Sequence, residues 1–234
     1  MSLLQDVRAI LLDIEGTTTP IALVHEVLFS YAREHVREFL SANPAPGDVA
    51  LLREEHAVDV KEGRNPPPLT NDSIAEYVEW LISLDRKSTG LKSLQGKIWR
   101  EGYEQGLLKS QVFADVRPAF ERWRERGLRI SIFSSGSVLA QHLLFAYTEV
   151  GDLTRFIDSY FDTTVGKKGE AESYLRIAEA MGLETHEILF ISDVVEELVA
   201  ANEAGMKTAL SIRPGNAPQA GESLFTRLQD FQDL

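Results

Sequence analysis

Short apolar runs alternate with amphipathic segments in the second half of the chain. Three times an amphipathic segment ends at a glycine (Gly127, Gly182, Gly205), and the runs LRISIF, EILFIS and TALSI follow these glycines. The run AILLD near residue 10 is of the same kind. Glycine is typical of the residue after a helix, and short uninterrupted apolar runs are typical of strands buried on both faces. The pattern predicts repeated βα units and one parallel sheet that includes AILLD.

Between AILLD and the first of these units, the apolar positions recur with a helical period. The stripes are Val27, Leu28, Tyr31, Val36 and Phe39, then Ile74, Tyr77, Val78, Leu81 and Leu84, then Leu91, Leu94, Ile98 and Trp99. Such stripes predict amphipathic helices. We therefore expect an α/β core formed by residues 1–19 and 113–234, with an all-helical cap, 20–112, inserted over one edge of that core. A helical insert without a function is the alternative.

Composition and charge narrow the classes of function. The chain of 234 residues contains no cysteine, which excludes disulfides, thiolate metal sites and a cysteine nucleophile. Its net charge is −12, so the average surface repels nucleic acid and anionic membranes. No run approaches the roughly 18 apolar residues of a membrane helix. We expect a cytoplasmic monomer that binds neither nucleic acid nor membrane and that holds an anionic substrate through local positive groups, a metal ion or helix amino termini.

Four polar clusters follow predicted strands or adjacent loops. In chain order they are Asp13 with Glu15, Ser134 with Ser135, Lys167 with Lys168, and Asp193. The carboxyl ends of parallel strands share one edge of a sheet, where ligands bind, so these clusters should converge. Carboxylates, hydroxyls and an ammonium group together suit a divalent metal ion and a phosphate.

Each cluster has a chemical and a structural interpretation. Asp13 suits a nucleophile that forms an aspartyl phosphate, and Glu15 suits an acid-base group, whereas an isolated Asp after a strand is usually a cap or a turn residue. The serines form either a phosphate cradle or a helix N-cap. The lysine pair either faces a phosphate or is solvated, and spacing alone does not say which lysine points inward. Asp193 either ligates Mg²⁺ together with Asp13 or adds negative charge at a helix amino terminus.

These motifs, in this order, resemble the haloacid-dehalogenase superfamily of phosphohydrolases, whose four motifs are an Asp-rich loop, a Ser or Thr, a Lys and a later acid. Within it, the segments DIEGTTTP, SSGS, the lysine pair after Gly166, ISDVVEE and RPGNAP are similar to those of the enolase-phosphatases of methionine salvage, also called acireductone synthases. The likeness covers nearly the whole chain. It implies a Rossmannoid parallel core with a helical cap.

The resemblance also implies roles and a reaction. Asp13 would be the nucleophile and a Mg²⁺ ligand, Glu15 would give its backbone carbonyl to the metal and its side chain to acid-base work, and Asp193 would complete the site for one Mg²⁺ per subunit. Ser134, Ser135 and Lys168 would bind the substrate, with Lys168 chosen by the family's Gly-x-Lys spacing. The implied reaction enolises 2,3-diketo-5-methylthiopentyl 1-phosphate and removes its phosphate to give 1,2-dihydroxy-3-keto-5-methylthiopentene, the acireductone.

Two departures from the general superfamily pattern are present. Glu15 stands where most phosphatases of the superfamily have a second Asp, and no Asp follows Asp193, which leaves Glu197 as a candidate outer ligand. The alternatives are a capped phosphatase for another ester, a dehalogenase, which would need no metal ligand at Asp193, a receiver-type signalling module, which lacks a cap, and a binding protein without turnover.

Overall fold

The computed structural model describes residues 3–43, 45–69, 74–86, 88–232 and 234. The chain divides into two compact units. Unit 1 comprises Met1–Leu23 and Lys109–Leu234, and unit 2 comprises Val24–Leu108. The sequence predicted the insertion at 20–112, so both predicted boundaries fall a few residues inside unit 1. The assignment of the inserted segment as a cap stays a prediction.

Unit 1 contains a six-stranded sheet whose described strand pairs are all parallel. The strands are β1 (Ala9–Leu12), β2 (Arg129–Phe133), β3 (Ser159–Phe161), β4 (Ile188–Ser192), β5 (Lys207–Ser211) and β6 (Thr226–Leu228). Their order across the sheet is β3-β2-β1-β4-β5-β6. The chain therefore adds β2 and β3 on one side of β1 and then crosses over to add β4, β5 and β6 on the other side. Open α/β sheets bind ligands where the strand order reverses in this way. The predicted α/β fold with a parallel sheet is confirmed.

Eight α-helices are described in the two units. They are α1 (Phe29–Ala42), α2 (Pro46–Lys61), α3 (Ile74–Ser83), α4 (Thr89–Glu104), α5 (Val116–Glu125), α6 (Val138–Ala146), α7 (Ala171–Met181) and α8 (Val195–Glu203). A π-helical segment, Leu23–Leu28, precedes α1, and short 3₁₀ turns lie at Thr154–Phe156, Thr185–Glu187 and Glu222–Leu224. None of the described helices combines the length and the apolar character needed to cross a membrane.

Two apolar cores cover the two faces of the sheet in unit 1. Side chains of β1 alternate between them, with Ile10 and Leu12 in one core and Ala9 and Leu11 in the other, and all four residues are fully buried. Helices α5 and α6 pack in the first core, and α7 and α8 pack in the second. Burial on both faces is the reason why β1 has an uninterrupted apolar sequence.

Unit 2 consists of the helices α1 to α4, in which α1 packs against α3 and α2 packs against α4. The predicted stripes on α3 and α4 are buried, with the exception of Leu84, which lies just beyond α3 and is exposed. Val27, in the first stripe, is also exposed. Helix α2 has no predicted stripe, and its buried residues are Asp48, Leu52 and Asp59.

Candidate active site

Asp13 lies directly after β1, at the carboxyl end of a central strand. Its backbone N–H donates to the carbonyl of Ile191 at 3.0 Å, which continues the pairing of β1 with β4, and the residue is 5% exposed. The chain then turns tightly, because the N–H groups of Thr18 and Thr19 both donate to the carbonyl of Ile14 at 2.9 Å. These hydrogen bonds hold the backbone after Asp13 in a tight turn at the carboxyl end of β1.

Gly16 is the residue of this turn that lets a second carboxylate approach. Its φ is +67°, and a Cβ atom there would lie 2.4 Å from Oδ2 of Asp193, which comes from the end of β4. A side chain would therefore displace Asp193 and strain the backbone. Glu15, next to it, is partly buried and forms a parallel bridge with Thr19.

Lys168 reaches Asp13 from the loop between β3 and α7. Its Nζ lies 2.5 Å from Oδ1 of Asp13 and 2.6 Å from Oε2 of Glu197, and the side chain is 8% exposed. The ammonium also lies 5.8 Å from the ring centre of Phe133. The hydroxyl of Tyr174 donates to the backbone carbonyl of Lys168 at 2.7 Å and so fixes the loop from the α7 side. The ammonium is thus buried between two carboxylates.

Lys167, the preceding residue, has a solvent-exposed side chain. Its side chain is 83% exposed and pairs with Glu170 at 3.1 Å. Spacing alone left open which lysine points inward, and the family resemblance chose Lys168. The structure brings Lys168 to Asp13 and leaves Lys167 at the surface.

Burial and mutual repulsion shift the protonation equilibria of this cluster. Burial alone would lower the pKa of Lys168, but Asp13 and Glu197 raise it, so the ammonium stays charged. Burial is the main reason why the pKa of Asp193 is raised to about 7, and repulsion from Asp13 and Glu197 raises it further. Attraction by Lys168 offsets part of this rise. Burial also raises the pKa of Glu197, against the attraction of Lys168. Among the residues that the structure describes, this cluster combines the carboxyl groups of Asp13, Asp193 and Glu197 with the single ammonium of Lys168.

This imbalance fits a divalent cation. A cation near Asp13 and Asp193 would stabilise the ionised form of a carboxyl group that burial and its neighbours otherwise keep partly protonated. Among the described residues, no group of three or more His, Cys, Asp or Glu side chains is arranged to hold a metal by itself. Mg²⁺ is commonly held by one or two carboxylates together with substrate oxygens and water, so the donors present suit Mg²⁺.

Ser134 and Ser135 follow β2, the neighbour of β1 at the same edge. The N–H of Ser134 donates to the carbonyl of Phe161 at 3.2 Å, and its Oγ accepts from the N–H of Gly136 at 3.3 Å. Ser135 is half-buried. The N-cap of α6 is Ser137, whose Oγ accepts from a backbone N–H at 3.3 Å, so helix capping requires neither Ser134 nor Ser135.

The structure also shows contacts that the sequence did not reveal. Glu197, inferred only as a candidate outer ligand, contacts Lys168 and accepts from Oγ of Ser192 at 2.8 Å. Asn216 and Gln219, in the loop after β5, hold backbone groups of the Gly16 turn and of the Asp193 loop. The segment RPGNAP, which contains Asn216 and directly precedes Gln219, was part of the family resemblance, but nothing in the sequence indicated which groups these two side chains bind.

Comparisons with known proteins match most of the chain. A model of the haloacid dehalogenase-like hydrolase family matches residues 7–205. Enolase-phosphatase E1 from Synechococcus elongatus is 50% identical with both chains covered in full, and Enolase-phosphatase E1 from Sorangium cellulosum is 48% identical over 97% of each chain. The crystal structure of the UTR4 protein from Saccharomyces cerevisiae is similar with a TM-score of 0.80 and 35% identity, covering 97% of this chain and 100% of that one. The chain therefore belongs to the enolase-phosphatase E1 family of haloacid dehalogenase-like hydrolases.

Proposed function

We propose that this chain is a Mg²⁺-dependent enolase-phosphatase of methionine salvage that converts 2,3-diketo-5-methylthiopentyl 1-phosphate into the acireductone and phosphate. The phosphatase half is supported by one observation above all, the buried contact of 2.5 Å between Lys168 and Asp13 at the end of β1. The enolase half is supported by the family to which the chain belongs. Both the phosphatase and the enolase activity act on a small phosphate ester.

In the proposed reaction Asp13 acts as the nucleophile. A carboxylate oxygen attacks phosphorus, the bond between phosphorus and the ester oxygen breaks, and the leaving oxygen takes a proton from Glu15. Water then attacks the phosphorus of the aspartyl phosphate and gives a proton back to Glu15, and phosphate leaves with Asp13 restored. Glu15 lies two residues after Asp13 in the same tight turn, which suits a group that must serve both steps.

Positive charge and hydroxyl groups would hold the phosphoryl oxygens. Lys168 is held charged beside Asp13, where negative charge develops on the transferring group. Ser134 and Ser135, at the end of β2, would bind the phosphate and the other substrate oxygens. Their hydroxyl groups lie between a strand end and α6, which favours anion binding.

One Mg²⁺ per subunit would be held by Asp13, Asp193 and the backbone carbonyl of Glu15. When bound, it supplies positive charge for the phosphoryl oxygens and a Lewis acid for the diketone oxygens during enolisation. Gly16 gives Asp193 room to approach the Asp13 loop.

The test is turnover of the diketo phosphate by the purified protein with Mg²⁺, with phosphate release and enediol absorbance followed together. We expect both signals, their loss in EDTA, and no phosphate release by Asp13→Asn. If the protein released phosphate from simple esters but did not act on the diketo phosphate, the methionine-salvage assignment would be wrong. The assignment of Asp13 as the nucleophile would still stand. Full activity of Asp13→Asn would overturn the assignment of Asp13 as the nucleophile.

A further inference from the structure

Segment 213–219, between β5 and β6, contacts both loops that carry the proposed metal ligands. It lies beyond residues 7–205, which the general hydrolase family model matches. The proposed mechanism gives it no role. Three of its side chains, those of Arg213, Asn216 and Gln219, bind backbone groups on one or the other of these loops.

Arg213 anchors the segment to the turn after β1. Its Nε donates to the carbonyl of Thr17 at 3.1 Å, and its two terminal nitrogens donate to the two carboxylate oxygens of Asp115 at 2.9 and 2.8 Å. The guanidinium lies 4.6 Å from the ring centre of Phe113 and 4.4 Å from that of Phe231. Burial, the two bonds to one carboxylate and the ring contacts constrain the position of this arginine, so it anchors the segment to the turn after β1.

Asn216 holds the same turn one residue earlier. Its Nδ2 donates to the carbonyl of Gly16 at 3.0 Å and to that of Ser211 at 3.2 Å. A Cβ atom on Gly16 would lie 2.8 Å from Oδ1 of Asn216 and 2.4 Å from Oδ2 of Asp193. The side chains of Asn216 and Asp193 therefore both pack against the α-carbon of Gly16.

Gln219 holds the loop that carries Asp193. Its Nε2 donates to the backbone carbonyl of Asp193 at 2.6 Å, and its Oε1 accepts from the N–H of Val195 at 3.0 Å. The backbone N–H of Gln219 donates to Glu222 at 2.7 Å. One amide thus fixes the backbone on both sides of Val194, at the point where β4 gives way to α8.

From these contacts we propose that segment 213–219 positions the metal-binding carboxylates, with Gln219 as the positioning residue for Asp193 and Asn216 as that for the Gly16 turn. The inference rests on the cation site of the proposed function. Through one short segment, the loops after β1 and β4 are held at a fixed separation, which pre-organises Asp193 with respect to Asp13. Groups that orient a metal ligand typically change metal affinity by about 10- to 100-fold when they are removed.

The experiment measures Mg²⁺ binding directly, by titration calorimetry of the metal-free protein without substrate. Gln219→Met keeps the length of the side chain and loses both hydrogen bonds, and Asn216→Ala tests the Gly16 turn independently. The matched control is Gln232→Met, at an exposed glutamine of the same unit. We expect the Kd for Mg²⁺ to rise about ten-fold or more in Gln219→Met, to rise in Asn216→Ala, and to stay within two-fold in the control.

A second readout separates positioning from general damage. At saturating Mg²⁺ the kcat of Gln219→Met should return to within two-fold of the wild-type value, because excess metal offsets a weakened site. Unchanged Mg²⁺ affinity in both variants, or a kcat that stays low at saturating Mg²⁺, would overturn the proposal. If Gln219→Met does not fold, the Mg²⁺ affinity of Asn216→Ala tests the proposal instead. A wild-type chain that binds Mg²⁺ but ignores the diketo phosphate would overturn the proposed function and leave the calorimetric test intact.

Discussion

At the scale of single residues, two adjacent lysines have opposite environments. Lys168 is buried against Asp13 and Glu197, and Lys167 is exposed beside Glu170. Local sequence did not distinguish them, because burial here depends on contacts with residues more than 25 positions away. The electrostatic contribution of a lysine to a phosphoryl-transfer site depends on this burial, since water screens an exposed charge.

We expect Lys168→Met to lower kcat for phosphate release by about 100-fold or more, because a pre-organised positive donor beside the reacting phosphoryl group is lost. Lys167→Met is the matched control and should remain within two-fold of the wild type. Steady-state phosphate release measures both. Equal losses in the two variants would show that Lys168 has no special place in the reaction.

The pKa of Asp193 predicts how the stability of the metal-free protein depends on pH. Burial and the carboxyl groups of Asp13 and Glu197 raise this pKa from 3.8 to about 7, although Lys168 acts to lower it. Between these two values the folded state binds more protons than the unfolded state, so the free energy of unfolding falls as pH rises from about 4 to about 7.

Asp193→Asn removes this contribution. In EDTA, the Tm of the wild type minus the Tm of Asp193→Asn should therefore be smaller at pH 8 than at pH 5. Thermal unfolding at both pH values measures the difference. A Tm difference that stays constant over this range would contradict the shifted pKa.

Part of the site was predictable residue by residue, and part was not. Asp13 and Asp193 stand directly after apolar runs, so the end of each run marks them, and Glu15 is marked by its place two residues after Asp13. Asn216 and Gln219 act on backbone carbonyls and N–H groups of distant loops. Any residue supplies such backbone groups, so no sequence pattern in the two loops marks their partners.

At the scale of elements, burial decided which strands and helices could be predicted. The buried strands β1, β2, β4 and β5 coincide with the apolar runs. Strand β6 was not predicted, since two of its three residues are exposed. Helix α2 was not predicted either, because two of its three buried residues, Asp48 and Asp59, are acids and break the apolar period.

The buried acids of α2 lead to a prediction about unit 2. Asp59 accepts hydrogen bonds from Arg64 at 2.6 Å, Tyr77 at 2.9 Å and Arg86 at 3.0 Å. Burial opposes its ionisation, but these three bonds lower its pKa. Asp59→Ala should destabilise the protein by about 2–3 kcal/mol, because three donors lose a buried, charged acceptor.

Denaturant unfolding monitors this loss. Glu54→Ala, at an exposed acid of the same helix, is the control and should stay within about 0.5 kcal/mol of the wild type. If the two variants were equally stable, the buried acid would contribute nothing to unit 2.

At the scale of the whole molecule, the net charge of −12 opposes the approach of a phosphate ester. The screening length falls from about 30 Å at 10 mM salt to about 8 Å at 150 mM. At saturating free Mg²⁺, KM for the diketo phosphate should therefore fall by about two- to ten-fold over this range, with a smaller change in kcat. Steady-state kinetics at several salt concentrations test this. A KM that rises with salt would mean that local positive charge governs the encounter instead.

The central position of β1 has a consequence for biosynthesis. Its neighbours in the sheet begin only at Arg129 and Ile188. At about 5–20 residues per second, the ribosome needs on the order of ten seconds or more to reach β4 after it has made β1. During that interval the apolar strand that precedes Asp13 lacks one or both of its partners. The nascent chain therefore exposes an aggregation-prone segment for most of its synthesis, and the surroundings of Asp13 are completed only when nearly the whole protein has been made.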